Sequence, residues 1–457
     1  MIPRVLGYGV DTFRVNLYWD EGRYQLPEGL EAALDNLKDL YRQNPGAAIL
    51  WGVDAYFPLP RLDGSVNIIS GDLPLYEAAL VQPTRHYAWQ LSFANLLFVR
   101  LSAVRDTTRR ASFPAVVVEI TGTYMMQAGR DVRRVVDWVM EAATNLVGTR
   151  PSRVQVSRVD LFADIEVPHG AFHVEDIARF TSRARSRSMW LAEGQVPAEG
   201  GAAPSGGPMS NTPPAIQVPA SLGEAPATMS VHLRGHTWSG FTFGRGPLLA
   251  RVYSKTLEAK TKPASRLLLK AYEEVHGALQ GEVVRVEFQL TPEVLAEMVV
   301  PGDGVDVRDW DVFGPSIPAI WAYLTESWLV LRDKATYLNY SVLGNAPVDP
   351  LWRLVQGAFR EGGDTGKAVR VKWQAQVDVL SLAKQALGAY LTALAAVGKA
   401  GKVNLLNPFI ALFRVLAGTA EDRKRFVEEA KVSYFKGVET KQARFGYMPE
   451  RMAYGGV

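Results

Sequence analysis

Polar and apolar residues alternate along SRVDLFADIE, the stretch from Ser157 to Glu166. Alternation with a period of two predicts a strand whose successive side chains point to opposite faces of a sheet. One face is then apolar, while the other carries Arg158 together with Asp160, Asp164 and Glu166. Three carboxylates on one face repel one another unless positive charge lies among them. We therefore take this polar face as the first candidate functional surface.

Three further stretches divide in the same way between an apolar and a polar face. The polar faces carry Glu119 in residues 114–121, Arg251, Tyr253 and Lys255 in residues 249–255, and Arg285, Glu287 and Gln289 in residues 284–290. Each stretch alone also fits a strand with one solvated face. If the four strands are neighbours, one sheet face holds carboxylates suited to a hard cation, a phenol and several basic groups. That set of groups suits chemistry on a phosphodiester.

Between the strands, apolar residues recur at helical spacing. We predict helices over 28–42, 132–147, 174–190 and 317–332, and a basic helix in which Pro263 lies in the first turn. A strand, the helix over 132–147 and the Asp160 strand follow one another, which predicts a βαβ crossover. Two of these segments are basic and form a candidate DNA-binding surface. The first carries Arg179, Arg183, Arg185 and Arg187, and the second carries Lys260, Lys262, Arg266 and Lys270.

The sequence also predicts how the chain is divided. Residues 191–230 are rich in glycine and proline, so we expect a mobile insertion there rather than a folded element. The pattern from about 366 to 435 is helical throughout. We therefore predict an α+β region over 1–360, with a central antiparallel or mixed sheet and flanking helices, followed by a helical C-terminal domain over 361–457.

The composition indicates the cellular environment of the protein more clearly than it indicates a binding partner. The chain has 457 residues, 47% of them hydrophobic and 21% charged, with no cysteine and a net charge of only +3. The absence of cysteine excludes disulfides and thiolate metal sites. No apolar run reaches the ~20 residues of a membrane span, and a signal-peptide layout is lacking at the start, so we expect a cytoplasmic location without a membrane partner. Any basic surface for nucleic acid must be local.

Taken in order, the polar motifs resemble the Rep_trans family, the initiators of plasmid rolling-circle replication, and the related relaxases. The motifs are VEITG at 118–122, RVD at 158–160, RVYSK at 251–255 and RVE at 285–287. The strand GVD at 9–11 and the regions around 339–340 and 350–352 are also similar, so the resemblance spans roughly residues 8–355.

The resemblance implies a magnesium- or manganese-dependent enzyme that nicks and rejoins DNA. Its tyrosine corresponds to Tyr253, which would attack the origin phosphate, form a 5′-phosphotyrosine and release a 3′-OH. We predict that Glu119, Asp160 and Glu287 converge on the ion, which offsets developing charge on the phosphate. A phenol with a pKa near ~10 is a poor nucleophile at neutral pH. We expect Arg251 or Lys255 to lower the pKa of the Tyr253 phenol.

The implied partner is origin DNA, either single-stranded or as a supercoiled duplex, with a host helicase and a second copy of the chain as further candidates. Three alternatives stay open at this point. A conjugative relaxase shares the chemistry; a DNA-binding regulator could keep the fold without catalysis; and another phosphodiester could be cleaved without a covalent step.

Overall fold

The computed structural model describes residues 1–44, 46, 48–50, 78–81, 86–109, 113–192, 228–233, 237–300, 306–360 and 366–371. These residues belong to the first of two compact units, Met1–Val371 and Lys372–Val457. The predicted helical region over 361–457 therefore lies outside the described residues, except for 366–371. The predicted insertion over 191–230 also lies outside them, except that its two ends are strand.

The described part of the chain is a mixed α/β structure with a large, mainly antiparallel sheet. Its strands are β1 Arg4–Tyr18, β2 Ile49–Leu50, β3 Ala78–Leu80, β4 Trp89–Phe93, β5 Leu97–Leu101, β6 Val116–Ile120, β7 Arg153–Val167, β8 Phe180–Ser182, β9 Ser186–Ala192, β10 Thr228–Leu233, β11 Thr237–Phe243, β12 Leu248–Ser254, β13 Glu282–Leu290, β14 Met298–Val299, β15 Leu329–Leu331 and β16 Val369–Arg370. Its α-helices are α1 Leu30–Gln43, α2 Val104–Arg109, α3 Gly122–Gln127, α4 Val132–Val147, α5 Lys255–Ala259, α6 Pro263–His276, α7 Pro292–Ala296, α8 Trp310–Tyr323 and α9 Pro350–Gly357. Short 3₁₀ turns span Val174–Arg179, Tyr337–Asn339 and Leu343–Asn345, and a π-helical turn spans Leu324–Trp328.

The main sheet has twelve strands in the order β10-β9-β11-β12-β13-β7-β1-β6-β5-β4-β3-β2. Neighbouring strands are antiparallel, except that β9 and β10 are parallel. The four predicted polar-faced strands are confirmed as β6, β7, β12 and β13. Three of them, β12, β13 and β7, lie side by side, whereas β1 separates β6 from β7. This strand order decides which polar residues can meet.

The alternation in β7 puts its apolar residues into the core, as predicted. Val159, Leu161, Ala163, Ile165 and Val167 are all buried on the face opposite Asp160. Helix α8 packs on this apolar face, where the Phe288 ring meets Trp321 edge-on at 5.4 Å. The face that carries the charged residues is therefore left for the cleft described below.

Helix α4 begins and ends where its sequence predicts. The Asp131 carboxylate caps the first turn by accepting a hydrogen bond from the Arg134 amide, and Gly148 ends the helix with a φ of 77°, which favours glycine. The helix joins β6 to β7, and both strands pair antiparallel with β1. Strands β6 and β7 are therefore parallel to each other, so the predicted crossover is confirmed with one strand between its two strands.

Two predicted helices are wrong in extent or type. Residues 174–190 form a 3₁₀ turn followed by β8 and β9 instead of one helix, because Phe180 is fully buried against Phe243 and Trp352 and its backbone pairs with β15. The helix predicted over 317–332 ends at Tyr323, and the chain continues through the π-helical turn into β15. In both places pairing between β8 and β15, which are distant in sequence, overrides the local spacing.

Candidate active site

A cleft of about 820 Å³ opens on the polar face of the sheet. Strands β1, β7, β13, β12 and β11 form its floor, and α5 with the first turns of α6 forms one wall. Its lining includes Asp160, Arg251, Tyr253, Lys255 and Glu287. Five of the six residues predicted for catalysis and metal binding therefore share one cleft.

The Tyr253 phenol is hydrogen-bonded to a carboxylate from the neighbouring strand. Its hydroxyl donates to Glu287 Oε2 at 2.9 Å, and Arg251 Nη1 donates to Glu287 Oε1 at 2.9 Å. Both contacts follow from register, since Arg251 lies directly opposite Glu287 and Tyr253 lies one diagonal step away. A phenol, a carboxylate that accepts its hydrogen bond and a guanidinium that orients the carboxylate are thereby arranged in sequence, an arrangement compatible with an activated nucleophile.

The predicted lowering of the Tyr253 pKa is wrong. Burial of the phenol, followed by the charge of Glu287, raises the pKa of Tyr253 well above its usual value, and the opposing effect of Arg285 is smaller. Arg251 donates to Glu287, so its charge is largely neutralised there. Tyr253 is therefore a neutral phenol in the resting site and needs a base to take its proton.

Lys255 is also engaged elsewhere. It is the first residue of α5, and its Nζ lies 2.5 Å from Glu258 Oε2 and 5.2 Å from the centroid of the Tyr253 ring. Although burial raises it, the pKa of Glu258 is lowered to about 2 by Lys255 and by hydrogen bonds from Lys262 and Ser265. These contacts fix the wall of the cleft beside the phenol.

Asp160 lies on β7, one diagonal step from Glu287, because its direct partner on β13 is Gln289. Arg158 Nε and Nη2 donate to the two Asp160 oxygens at 3.0 and 2.7 Å. Burial nevertheless raises the pKa of Asp160 to about 6, with the Arg158 hydrogen bonds opposing it and the charge of Glu287 adding to it. Burial therefore disfavours the charged form of Asp160, whereas a cation bound beside it would favour that form.

Asp11 is a further carboxylate in the cleft that the sequence reasoning did not select. The register of β1 against β7 shifts between Val10 and Phe13, and this irregularity directs Asp11 into the cleft. Its Oδ1 accepts from Arg285 Nη1 at 2.5 Å. The signal available in the sequence was the motif GVD at 9–11, which carried the family resemblance but no role.

Glu119 does not join the other two predicted ligands, and that part of the metal prediction is wrong. It lies on β6, three inter-strand spacings or about 14 Å from β13. Its Oε2 is bonded by Arg14 Nη2 at 2.6 Å and by Arg100 Nη2 at 2.9 Å. Although burial raises it, these two arginines hold the pKa of Glu119 below its usual value. Glu119 ties β1, β5 and β6 together on the polar face.

The first predicted basic cluster is divided by the structure. Arg179 is buried, with its guanidinium between Asp176 and Asp349 and its Nε on the Arg332 carbonyl. Arg187 is buried as well, and its Nε has no hydrogen-bond partner among the described residues. Arg183 and Arg185 are exposed. A helical basic face over this stretch is therefore wrong, and Arg179 and Arg187 belong to the interior.

The second basic cluster is placed as expected on α6 and the turn before it. Pro263 is in the first turn of α6, and Lys260, Lys262, Arg266 and Lys270 are all exposed. Lys262 lines the cleft and pairs with Glu258 at 2.6 Å. The exposed positive charge of this cluster therefore begins at the wall of the cleft that holds Tyr253.

The carboxylates of the cleft meet only part of what a Mg²⁺ site requires. Within the described ranges, no three His, Asp or Glu side chains are grouped so as to hold a metal ion. Mg²⁺ is commonly held by one or two carboxylates together with water and substrate phosphate oxygens. Asp160 and Glu287 provide two such carboxylates at one opening, and the pKa of Asp160 is raised chiefly by its burial and to a smaller extent by the charge of Glu287.

No protein-family model matches the chain, and no curated protein matches it. Among the described helices, none combines the length and apolarity that crossing a bilayer requires. Any inference about function therefore depends on the cleft and on the residues that line it.

Proposed function

We propose that this chain is an initiator of rolling-circle DNA replication that nicks one strand through attack by Tyr253. The observation that carries the proposal is the hydrogen bond from the Tyr253 hydroxyl to Glu287, in a cleft that also contains Asp160 and several basic groups. A phenol paired with a carboxylate base beside positive charge is suited to forming a covalent link with a phosphodiester.

In the proposed step, Glu287 takes the phenolic proton while the Tyr253 oxygen forms a bond to phosphorus. The bond from phosphorus to the 3′ oxygen breaks, and that oxygen takes a proton from water and leaves as a 3′-OH. One ester bond is exchanged for another, so the 5′-phosphotyrosine keeps the phosphodiester available for rejoining. Arg251 orients Glu287 through its hydrogen bond, and its positive charge is no longer neutralised once Glu287 has taken the phenolic proton, so it can then offset charge on the phosphate.

Asp160 and Glu287 are the residues that would hold Mg²⁺ or Mn²⁺, and the bound ion would neutralise charge on the phosphate oxygens. Lys255 and Glu258 keep the cleft wall in place beside the Tyr253 ring. Burial raises the pKa of the Tyr253 phenol further above neutrality, so the proposed attack needs Glu287 to take the proton.

The exposed basic residues supply attraction for the DNA backbone. Lys260, Arg266 and Lys270 are exposed along α6 and the turn before it, next to the cleft wall. We propose that they contact phosphates on the strand that enters the cleft, which contributes affinity without sequence specificity.

The proposal is tested by incubating the full chain with Mn²⁺ and a supercoiled plasmid that carries its own gene and flanking DNA. We expect open-circular plasmid and protein that stays attached to DNA after denaturation. Tyr253→Phe should bind DNA and fold normally but form neither product. Tyr272→Phe is the matched control, since Tyr272 is also a buried tyrosine bonded to a carboxylate, Asp164, at 2.6 Å. A Tyr253→Phe protein that still becomes attached to DNA would contradict the proposal.

A further inference from the structure

We infer that the Arg130 guanidinium is an anion-binding site of the cleft and holds a phosphate group there. The inference rests on the proposed function, because it takes the anion to be a phosphate of the substrate. It adds a binding residue that none of the sequence motifs contains, on the part of the lining that α3 and the connection from α3 to α4 contribute.

Arg130 differs from the other cations of the cleft in having no ion-pair partner among the described residues. Six basic side chains line the cleft. Five of them form ion pairs: Arg158 with Asp160, Arg251 with Glu287, Arg285 with Asp11 and Asp164, and both Lys255 and Lys262 with Glu258. Within the described lining, Arg130 therefore carries the positive charge that no carboxylate contacts directly.

Most of the hydrogen-bond donors of Arg130 stay available to a ligand. Nη2 donates to the Tyr272 hydroxyl at 3.0 Å, and this phenol in turn donates to Asp164. A guanidinium has five N–H groups, so this one bond leaves the others unused. The side chain is partly buried, and the buried side-chain nitrogen atoms without a partner in the described residues belong to Arg187 and Trp238 instead. The unused donors of Arg130 therefore reach solvent at the cleft.

Contacts with two aromatic rings and with β1 fix the guanidinium in place. Its central carbon lies 4.7 Å from the centroid of the Phe162 ring and 5.5 Å from the centroid of the Tyr272 ring. A Cβ added to Gly7 would lie 2.7 Å from Arg130 Nη1, so β1 has room for the guanidinium because residue 7 has no side chain. Phe162 lies directly opposite Glu287, the proposed base. The guanidinium is therefore held against β7, the strand next to the one that carries Glu287.

The backbone of Arg130 has a conformation that residues with a side chain rarely adopt. Its φ is 61°, in the left-handed region that favours glycine. The amide of Arg130 donates to the Met125 carbonyl at 2.7 Å, so the turn after α3 closes around this conformation. Residues held in such conformations cluster at functional sites. An arginine here places a cation in the cleft at a conformational cost that glycine would not incur.

Phosphate is the anion that suits this arrangement. A guanidinium can bond two phosphate oxygens through two parallel N–H groups, and stacking on an aromatic ring leaves those groups free. In the proposed step, a fixed donor without a carboxylate partner can offset charge on the phosphate from the start. Arg251, in contrast, is paired with Glu287 until Glu287 has taken the phenolic proton.

The test titrates inorganic phosphate into the full chain in EDTA at constant ionic strength and follows binding by broadening of the phosphorus NMR signal. We expect Arg130→Met to weaken phosphate binding by about tenfold or more, the effect of losing a hydrogen bond to a charged group. Arg130→Lys should lie between Arg130→Met and wild type, because lysine keeps the charge but not the planar fork. Arg134→Met is the matched control. Arg134 also stacks on an aromatic ring, 4.6 Å from the centroid of Trp138, but it is exposed and does not line the cleft.

The same variants are then compared in plasmid nicking with Mn²⁺. Arg130→Met should nick about tenfold more slowly than wild type and still form the adduct on Tyr253, because the nucleophile and its base are unchanged. Arg134→Met should nick at the wild-type rate. An Arg130→Met protein that loses phosphate binding but nicks at the wild-type rate would show that the bound anion is not the substrate phosphate.

The inference is overturned if the wild-type protein does not bind phosphate, if either Arg130 variant binds it as wild type does, or if Arg134→Met loses binding equally. Phosphate binding needs neither the tyrosine nor a metal ion. A failure of nicking by the wild-type protein would therefore leave the phosphate result intact. Unchanged phosphate binding in Arg130→Met would in turn leave nicking by Tyr253 intact.

Discussion

Replacing Arg285 by methionine should destabilise the protein by about 3–5 kcal/mol, because it leaves a buried carboxylate without its counter-ion. Arg285 is 2% exposed and donates from Nε and Nη2 to the two oxygens of Asp164 at 2.7 Å each. Asp164 is fully buried, so water cannot replace these bonds, and among the described residues only the Tyr272 hydroxyl would continue to donate to it. Although burial raises it, the charge of Arg285 holds the pKa of Asp164 below its usual value.

The assay is urea unfolding of the full chain followed by tryptophan fluorescence. With an m-value of about 3 kcal/mol/M, the midpoint should fall by about 1–1.7 M. Arg4→Met is the matched control. Arg4 pairs with Glu166, which lies on β7 as Asp164 does, but the Arg4 side chain is 40% exposed. Glu166 also keeps two backbone amide donors, from Gln280 and Gly281. Its cost should be within about 1 kcal/mol. Adding Asp164→Asn to Arg285→Met should recover part of the loss. Equal costs for the Arg285 and Arg4 variants would show that burial of the carboxylate does not set the cost.

Three further predictions concern the cleft and its surroundings. Glu119→Gln should leave nicking intact, because Glu119 is hydrogen-bonded to Arg14 and Arg100 away from the cleft. Asp160→Asn should lower the nicking rate at least tenfold. A plasmid-relaxation assay in Mn²⁺ compares the two variants, and a larger loss in Glu119→Gln would support Glu119 as a metal ligand. The pKa of Glu258 is lowered in the folded state, so the ionised carboxylate stabilises the protein by about 1–2 kcal/mol after allowance for solvent screening. This stabilisation is present above about pH 4.5 and disappears as the pH falls toward about 2. The difference in unfolding free energy between wild type and Glu258→Gln should narrow over that pH range, and a constant difference would contradict the lowered pKa. Neutralising Lys260, Arg266 and Lys270 together should flatten the salt dependence of DNA binding by about 2–3 units of slope, unlike neutralisation of Lys38 and Arg42 on α1, and an unchanged slope would mean that these cations are only solvated.

The polar-faced strands could be predicted because a period of two leaves a direct trace in the sequence. Alternation assigned Asp160 to the polar face of β7 and Glu287 to the polar face of β13. In the structure both residues line the cleft. Helix α4 could also be predicted, from its apolar stripe and from Gly148 at its end. Each of these predictions used only residues close together in the chain.

The errors share one physical origin, which is pairing between distant segments. Glu119 was grouped with Asp160 because local patterns do not report strand order, and β1 lies between their strands. Arg179 was placed on a solvated face, but Asp349 forms a buried ion pair with it from 170 positions away. Asp11 was given no role because its direction depends on a register shift in β1 that alternation does not reveal.

The position of Tyr253 could be predicted, but its electrostatic state could not. The sequence placed basic residues on both sides of the phenol, which favoured a lowered pKa. In the structure Arg251 and Lys255 are paired with Glu287 and Glu258, while burial raises the pKa of Tyr253. The proposal that Glu287 accepts the phenolic proton depends on a hydrogen bond that only the folded strands create.

The proposed role of Tyr253 is tested most directly by identifying the residue that carries the DNA after cleavage. Protein that stays attached to plasmid in Mn²⁺ would be digested with nuclease and protease, and the peptide bearing residual nucleotide would be sequenced by mass spectrometry. We expect a nucleotide on Tyr253, attached through a 5′ phosphate, and no such peptide from Tyr253→Phe. A nucleotide on any other side chain, or efficient nicking without a covalent adduct, would contradict it.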